Sequence, residues 1–279
     1  MENHINILME NHINISIIGK PNVGKSTIFN KLIGSNISEV SEISGTTIYP
    51  ISSLNDFQDL SINLIDLGGL KKKAKSHDKK QKLITSETIK SLNKSQIVFF
   101  ILDANDSITK NDKQLFRLAL NKLKNILLIV NKTDLVKENL KKKEMYFKNF
   151  FEKNYPNILI KPIFISALKN IRRDFLFKKI YEIYLNSKKI LNNKDVNIAL
   201  KNILEKHQPP FSKKSRPIIK FLRHVNSEPM IFKAFGNKLT FLSKDYKNFF
   251  LKQLLIHLKI FNQIVVIKYL NNKNPYSKS

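Results

Sequence analysis

Cysteine is absent from the 279 residues, which excludes disulfides and thiolate-bound metals and suits a reducing compartment. Long apolar runs are missing as well. Ile97 to Leu102 and Ile126 to Val130 are the longest, far short of the roughly 20 residues that a membrane-spanning helix needs. The N-terminus shows no basic-then-apolar pattern of a signal peptide, so the expected location is cytoplasmic and no membrane partner is expected. Acidic side chains are few, 22 against 49 Lys and Arg, a formal charge of +27 that favours a polyanionic partner such as RNA. Arginine is scarce too, limited to Arg117, Arg172, Arg173, Arg216 and Arg223. Selection for phosphate recognition favours Arg, so a coding bias toward Lys, Asn and Ile shares responsibility for the excess. Glycine occurs only seven times, and a pattern that spends several of them at fixed spacing is therefore informative.

What the chain does have is enough apolar content, 42%, for a packed core. Its length suits one domain of about 150–200 residues and a smaller one. MENHINI occurs twice, at Met1 to Ile7 and Met9 to Ile15. A short duplication or a second start at Met9 accounts for it, and no function is assigned to it.

Apolar runs at Ile13 to Gly19, Leu60 to Asp66, Gln96 to Asp103, Asn125 to Asn131 and Ile158 to Ser166 read as strands. Mixed segments between them, Lys25 to Gly34, Asn111 to Lys122, Leu140 to Lys153 and Arg172 to Ser187, have helical length. Continuously apolar strands alternating with helices predict an α/β fold with a mostly parallel sheet, covered on both faces, and ligands at the strands' carboxyl ends. The expected division is residues 10–187 for this domain and 188–279 for a second, smaller α+β domain. In the latter, Val196 to Leu204 has helical spacing and ends before Pro209-Pro210. Strands follow at Pro217 to Val225 and Pro229 to Phe235, then a helix with Tyr246, Phe249, Phe250, Leu254 and Leu258 on one face, then a strand at Gln263 to Tyr269.

Three motifs fall at predicted strand ends. Gly19-Lys20-Pro21-Asn22-Val23-Gly24-Lys25-Ser26, followed by Thr27, is a complete GxxxxGKS. Its glycines let backbone N–H groups wrap phosphate oxygens, the helix start adds partial positive charge, Lys25 reaches the terminal phosphates, and the Ser26 hydroxyl ligates Mg²⁺. Asp66-Leu67-Gly68-Gly69 is a DxxG, whose carboxylate holds the Mg²⁺ shell through water while the Gly69 N–H senses the terminal phosphate. Asn131-Lys132-Thr133-Asp134 selects the base. A carboxylate at Asp134 accepts from the N1 and N2 donors of guanine, a pair that adenine does not offer. Lys132 lays its stem along the ring, and Ser166-Ala167-Leu168 presents a backbone N–H to the guanine O6. The expected ligands are GTP or GDP with Mg²⁺, and ATP is rejected.

With these motifs, the chain resembles the GTPases of the Der (EngA) family, in the TrmE-Era-EngA class. GKPNVGKST, SGTT, DLGG, NKTD and SAL occur in that family's order, and HQPP at His207 to Pro210 and NPY at Asn274 to Tyr276 are similar to segments of its C-terminal module. The resemblance covers residues 13–279 and implies GTP hydrolysis, a KH-like C-terminal domain, and a role in assembling the large (50S) ribosomal subunit. Neither DNA nor a second copy of the chain is an expected partner. By the same alignment Thr47 ligates Mg²⁺ and senses the terminal phosphate, in Gly45-Thr46-Thr47-Ile48-Tyr49, where the family follows GTT with Arg-Asp. Family members carry two G domains in tandem, whereas this chain has room for one. Leu70 stands where many GTPases have a water-orienting Gln. In relatives with that substitution a K⁺ ion, held partly by the P-loop Asn, supplies the missing charge, and Asn22 is at that position. Lys25, Thr47, Gly69 and Asn22 are thus the catalytic candidates. Gln81 replaces an acidic switch residue within the basic segment Lys71 to Lys82. Gly236 is the only glycine of the last third, so the GxxG clamp of RNA-binding KH domains is missing, which separates the chain from Era. Against the reading as a Der-type GTPase switch stand two alternatives, a basic RNA- or ribosome-binding scaffold whose nucleotide pocket has no useful turnover and an Era-like GTPase.

Overall fold

The computed structural model describes residues 12–34, 51–66, 88–137, 139–169, 171–212 and 215–271, with backbone alone for 51–55 and 66. By internal contacts they form two compact units. The first ends at Lys148 and resumes over Lys161–Glu182, and the second takes Asn149–Ile160 and everything from Ile183.

The first unit is built on a six-stranded sheet with strands β1 (His12–Ile18), β2 (Ile51–Phe57), β3 (Leu60–Asp66), β4 (Ile97–Asp103), β5 (Asn125–Asn131) and β6 (Ile163–Phe164). Their order is β2-β3-β1-β4-β5-β6. All neighbours are parallel except the edge hairpin β2/β3, where Ile51 faces Asp66 and Phe57 faces Leu60. Every residue of β4 is buried, as a strand covered on both faces requires. Each large aliphatic or aromatic side chain buried there contributes about 1.5–3 kcal/mol. The helices are α1 (Lys25–Ile33), α2 (Lys110–Asn121), α3 (Leu140–Asn154) and α4 (Arg173–Lys188). Residues 88–94 are also helical. A capping box starts α2: the Asp112 carboxylate accepts from the Thr109 N–H, and the Thr109 hydroxyl accepts from the Asp112 N–H.

Two expectations need correction. The edge strand β2 was not foreseen. The apolar run Ile158 to Ser166 is extended sheet only at Ile163–Phe164. Pro162 has no N–H to give a ladder, and Leu159 is buried in the core of the second unit, where its carbonyl accepts from the Asn262 N–H at 2.8 Å.

That second unit follows the expected order with α5 (Asn193–Lys206), β7 (Ile218–Ser227), β8 (Met230–Asn237), α6 (Lys244–His257) and β9 (Val265–Asn271). Its sheet runs β7-β8-β9, antiparallel then parallel. One face is buried under Val196, Leu200 and Ile203 of α5 and Tyr246, Phe250 and Leu254 of α6. The Asn197 side chain of α5 satisfies the free edge of β7: it donates to the Leu222 carbonyl at 2.8 Å and accepts from the Leu222 N–H at 3.0 Å, which blunts an edge that would otherwise pair with another chain. His224 is buried among these elements. Its Nδ1 accepts from the Leu191 N–H at 2.9 Å, Nε2 faces the Asn226 carbonyl at 2.7 Å, and the ring stacks on Phe232.

Candidate nucleotide-binding site

At the carboxyl end of β1 the chain turns through residues 19–24 before α1 begins at Lys25. Gly19 (φ 155°) and Gly24 (φ 94°) occupy backbone conformations that side chains resist, and so does Asn22 at φ 65°. Space imposes the same choice: a Cβ on Gly19 would strike the Ile101 carbonyl of β4, and one on Gly24 the Asn131 amide. Gly24 caps α1 without a side-chain hydrogen bond, so the first-turn N–H groups are left for an anion. The Lys25 ammonium folds back on the loop, donating to the Lys20 carbonyl at 2.8 Å. Ser26 is exposed on the first turn of α1, where a hydroxyl suits an oxygen-loving cation beside phosphate. Lys20 is held by Asp106 at 2.5 Å. Burial lowers the basicity of its ammonium, but Asp106, Asp112 and Asp103 outweigh that and raise it above the ordinary value.

Asn131, 1% exposed at the end of β5, joins the loops. Its Nδ2 donates to the Val23 carbonyl of the P-loop at 2.9 Å, and its Oδ1 accepts from the Ala167 N–H at 2.9 Å. The phosphate cradle and the loop after β6 are thereby fixed to one amide. Lys132 has left-handed backbone (φ 65°) and leads into a single 3-10 turn, Thr133–Leu135, which presents Asp134 half-buried. The Thr133 N–H donates to Ile165 at 3.1 Å. Asp134 has no hydrogen-bond or ion-pair partner among the described residues, so its carboxylate is open to a ligand donor. Lys132 pairs with Asp103 at 2.8 Å. Burial drives the Asp103 carboxyl upward, but Lys132 and the Asn105 N–H overcome this and hold it below the usual carboxylate range.

Ser166 and Ala167 are buried and Leu168 is 73% exposed. The Ala167 N–H is committed to Asn131, so the donor left for a base carbonyl is the Leu168 N–H. Of the Mg²⁺ candidates, Asp66 ends β3 beside Ile17 of β1, at the same end of the sheet as Gly19 and Asn131, with its backbone alone described. Thr47, Leu67, Gly68, Gly69, Leu70, Gln81 and the segments Gly45–Tyr49, Lys71–Lys82 and Asn274–Tyr276 lie outside the described residues, as do Met1–Ile7 and Met9.

Sequence reasoning missed the support from β4. Asp103 anchors Lys132, accepts from the Asn105 N–H at 3.0 Å, and is followed by Ala104, whose N–H donates to the Asn131 carbonyl. Asp106 holds Lys20. The available signal was Asp103-Ala104-Asn105-Asp106 closing an apolar strand, since carboxylates at the ligand end of a parallel sheet are costly unless they engage something.

A glycine-bent loop and a helix start after β1, and an open carboxylate after β5, thus lie at one end of one sheet. Residues 14–132 match the family model of the 50S ribosome-binding GTPases. Residues 191–268 match that of the KH-domain-like C-terminal region of EngA bacterial GTPases, and residues 81–206 that of the elongation factor Tu GTP-binding domain. GTPase Der of Buchnera aphidicola subsp. Baizongia pistaciae is 31% identical over 264 residues, covering 95% of this chain and 56% of that protein. GTPase Der of Lawsonia intracellularis is 32% identical over 250 residues, covering 89% and 54%. Over most of its length the chain is similar to GTPases of the Der (EngA) family. It spans a little over half the length of these Der relatives. Among solved structures, Aquifex aeolicus Era bound to GDP and aluminium fluoride has TM-score 0.52 and 21% identity over 94% of this chain and 93% of that one. Era in complex with MgGDPNP and a segment of 16S ribosomal RNA has TM-score 0.51 and 20% identity over the same shares. Both share the fold of this chain: an α/β P-loop GTPase domain with a mostly parallel sheet and a KH-like module. No helix among the described residues is long and apolar enough to cross a membrane.

Proposed function

We propose that the chain binds GTP and GDP and hydrolyses GTP to GDP and phosphate in the cytoplasm, in the service of large-subunit assembly. The observation that carries this reading is the open Asp134 carboxylate in the turn after β5, three residues from Asn131, whose side chain is bonded to the P-loop. Residues 19–27 take the phosphates, Lys25 spreads charge from the terminal pair, and Asn131 to Asp134 with Ser166 to Leu168 enclose and read the base. Ser26, Thr47 and Asp66 would hold Mg²⁺, the last partly through water, and the ion would supply positive charge beside the terminal phosphates. Thr47 and Gly69 order around that phosphoryl group and release on its loss.

Leu70 cannot orient water, so turnover without help is slow, on the order of 10⁻⁴ to 10⁻² s⁻¹; Asn22 would hold a K⁺ ion that would supply the missing positive charge. The partner is the large ribosomal subunit or its RNA, which the family's 50S-binding description and the +27 charge support. The domains proposed for these tasks are residues 10–187 and 188–279.

Titration with labelled GDP and ATP tests the chemistry: tight GDP binding with ATP ignored is expected, and equal binding of the two would overturn the reading. Single-turnover hydrolysis in K⁺ against Na⁺, with and without large subunits, separates a switch from a scaffold with an idle pocket. The switch reading fails if subunit binding is indifferent to the nucleotide.

A further inference from the structure

The three-stranded sheet of the second unit is covered by helices on one side. On the other side the register aligns three rows across β7, β8 and β9. Phe221, Phe235 and Leu270 make one row, Arg223, Lys233 and Lys268 the next, and Asn226, Ile231 and Val266 the third. Phe221 is 41% exposed and Leu270 38%. The Phe221 and Phe235 rings lie 6.4 Å apart, centroid to centroid. Arg223 and Lys268 are exposed and Lys233 half-buried, and Lys220 is exposed in the bulge before Phe221. None of the three strands contains Asp or Glu. Glu228, in the β7–β8 turn, is engaged by Ser187 and Lys188.

Stability does not call for this arrangement. Like charges directly opposite one another across strands are destabilising, and a solvent face of a sheet is ordinarily filled with mixed polar residues. A lysine-rich composition adds cations but does not align three of them, one on each strand. What the pattern fits is a strand of nucleic acid with unpaired bases: the aromatic row offers π-faces for stacking, and the cationic row, about 7 Å away along the strands, takes the phosphates. A purely acidic protein surface would make no use of the exposed rings.

We propose that this open sheet face is a binding platform for single-stranded RNA, stacking bases on Phe221 and Phe235 and holding phosphates with Arg223, Lys233 and Lys268. It supplies a grip on RNA that the missing GxxG loop does not. The inference rests on the ribosomal reading above only for the source of the RNA.

The test uses the full chain and fluorescence anisotropy with labelled 12-nucleotide single-stranded RNAs and a duplex of equal length. The expected result is preference for single strands. Phe221→Ala weakens binding about tenfold and Phe221→Tyr restores it, because alanine removes one stacking platform. Lys233→Gln with Lys268→Gln reduces the slope of log affinity against log salt by about 0.7 for each cation lost. Lys141→Gln with Lys142→Gln, exposed cations on α3, changes affinity several-fold less. Circular dichroism and melting confirm that each variant is folded. The proposal is overturned if Phe221→Ala binds like the parent, if duplex competes as well as single strand, or if the α3 pair matters as much as the sheet pair. Co-sedimentation with large subunits separates the two readings. Platform binding without co-sedimentation removes the ribosomal partner alone, and co-sedimentation with indifference to Phe221→Ala in anisotropy removes the platform alone.

Discussion

The two sheets of this protein use opposite parts of themselves. In the first unit β4 is buried along its whole length and β5 over nearly all of it, so no face is left for a ligand and the chemistry is confined to the carboxyl ends. There Gly19, Asp66, Asp103 and Asn131 sit side by side on neighbouring strands. In the second unit it is a face that stays open. A sheet covered on both sides concentrates polar groups where strands stop, which suits a compact ligand gripped from several loops. A sheet covered on one side spreads its side chains as a grid, which suits an extended ligand.

That contrast can be broken at specific residues, beginning where the effect is largest. Replacing Asp134 by Ala removes the acceptor for two guanine donors and is expected to reduce GDP affinity by about 10³ or more. Isothermal titration reads the loss, and a tenfold change or less means that the base is recognised elsewhere. Asn131→Ala strands a buried carbonyl at Val23 and a buried N–H at Ala167, each costing about 1–3 kcal/mol. Denaturant melts of the first unit should show a drop of that order, with the second unit unaffected. If both units melt unchanged, the amide is not the tie described.

A third effect belongs to the second unit and to pH. Burial lowers the His224 pKa below its ordinary value, with the Asn226 carbonyl opposing. The unfolded chain therefore takes up the proton more readily. The stability from neutral His224 is full above about pH 6.5 and is lost as pH falls through that value toward the folded-state pKa. Protonation also ends the ability of Nδ1 to accept from Leu191. The melting temperature of the second unit should decline steadily from pH 7 to pH 5, and His224→Gln should flatten the decline. The smallest effect sharpens the contrast most. Lys233→Thr on the open face should leave stability unchanged or raise it by up to about 1 kcal/mol, since it relieves repulsion from Arg223 and Lys268. A loss of 2 kcal/mol or more in urea melts would mean that the cationic row serves the fold.

The loop of residues 19–27 and the turn at Asn131 to Asp134 were legible in their placement because each is contiguous: every element falls within four to nine neighbouring residues, and the strand just before each one fixes its position. The helices and the central strands were legible from apolar runs and helical spacing. Edge strand β2 was not, because Ile51, Leu54 and Phe57 recur every third residue and an edge does not impose continuous apolarity. The run Ile158 to Ile160 misled because burial and sheet membership look alike in a sequence, and those residues are buried in a different unit. Asp103 and Asp106 read as an ordinary turn until β4 is set between β1 and β5. Arg223, Lys233 and Lys268 are far apart along the chain, so only strand pairing makes them neighbours.

The Asn131 carboxamide has a consequence for how the pocket assembles. One planar group gives its donor to the loop proposed to wrap phosphate and its acceptor to the loop proposed to flank the purine, and it cannot turn toward one without leaving the other. The two lobes of the cavity therefore form and loosen as a unit. A ligand that engages only one lobe, a bare pyrophosphate or a free nucleobase, is expected to stiffen the lobe it never touches.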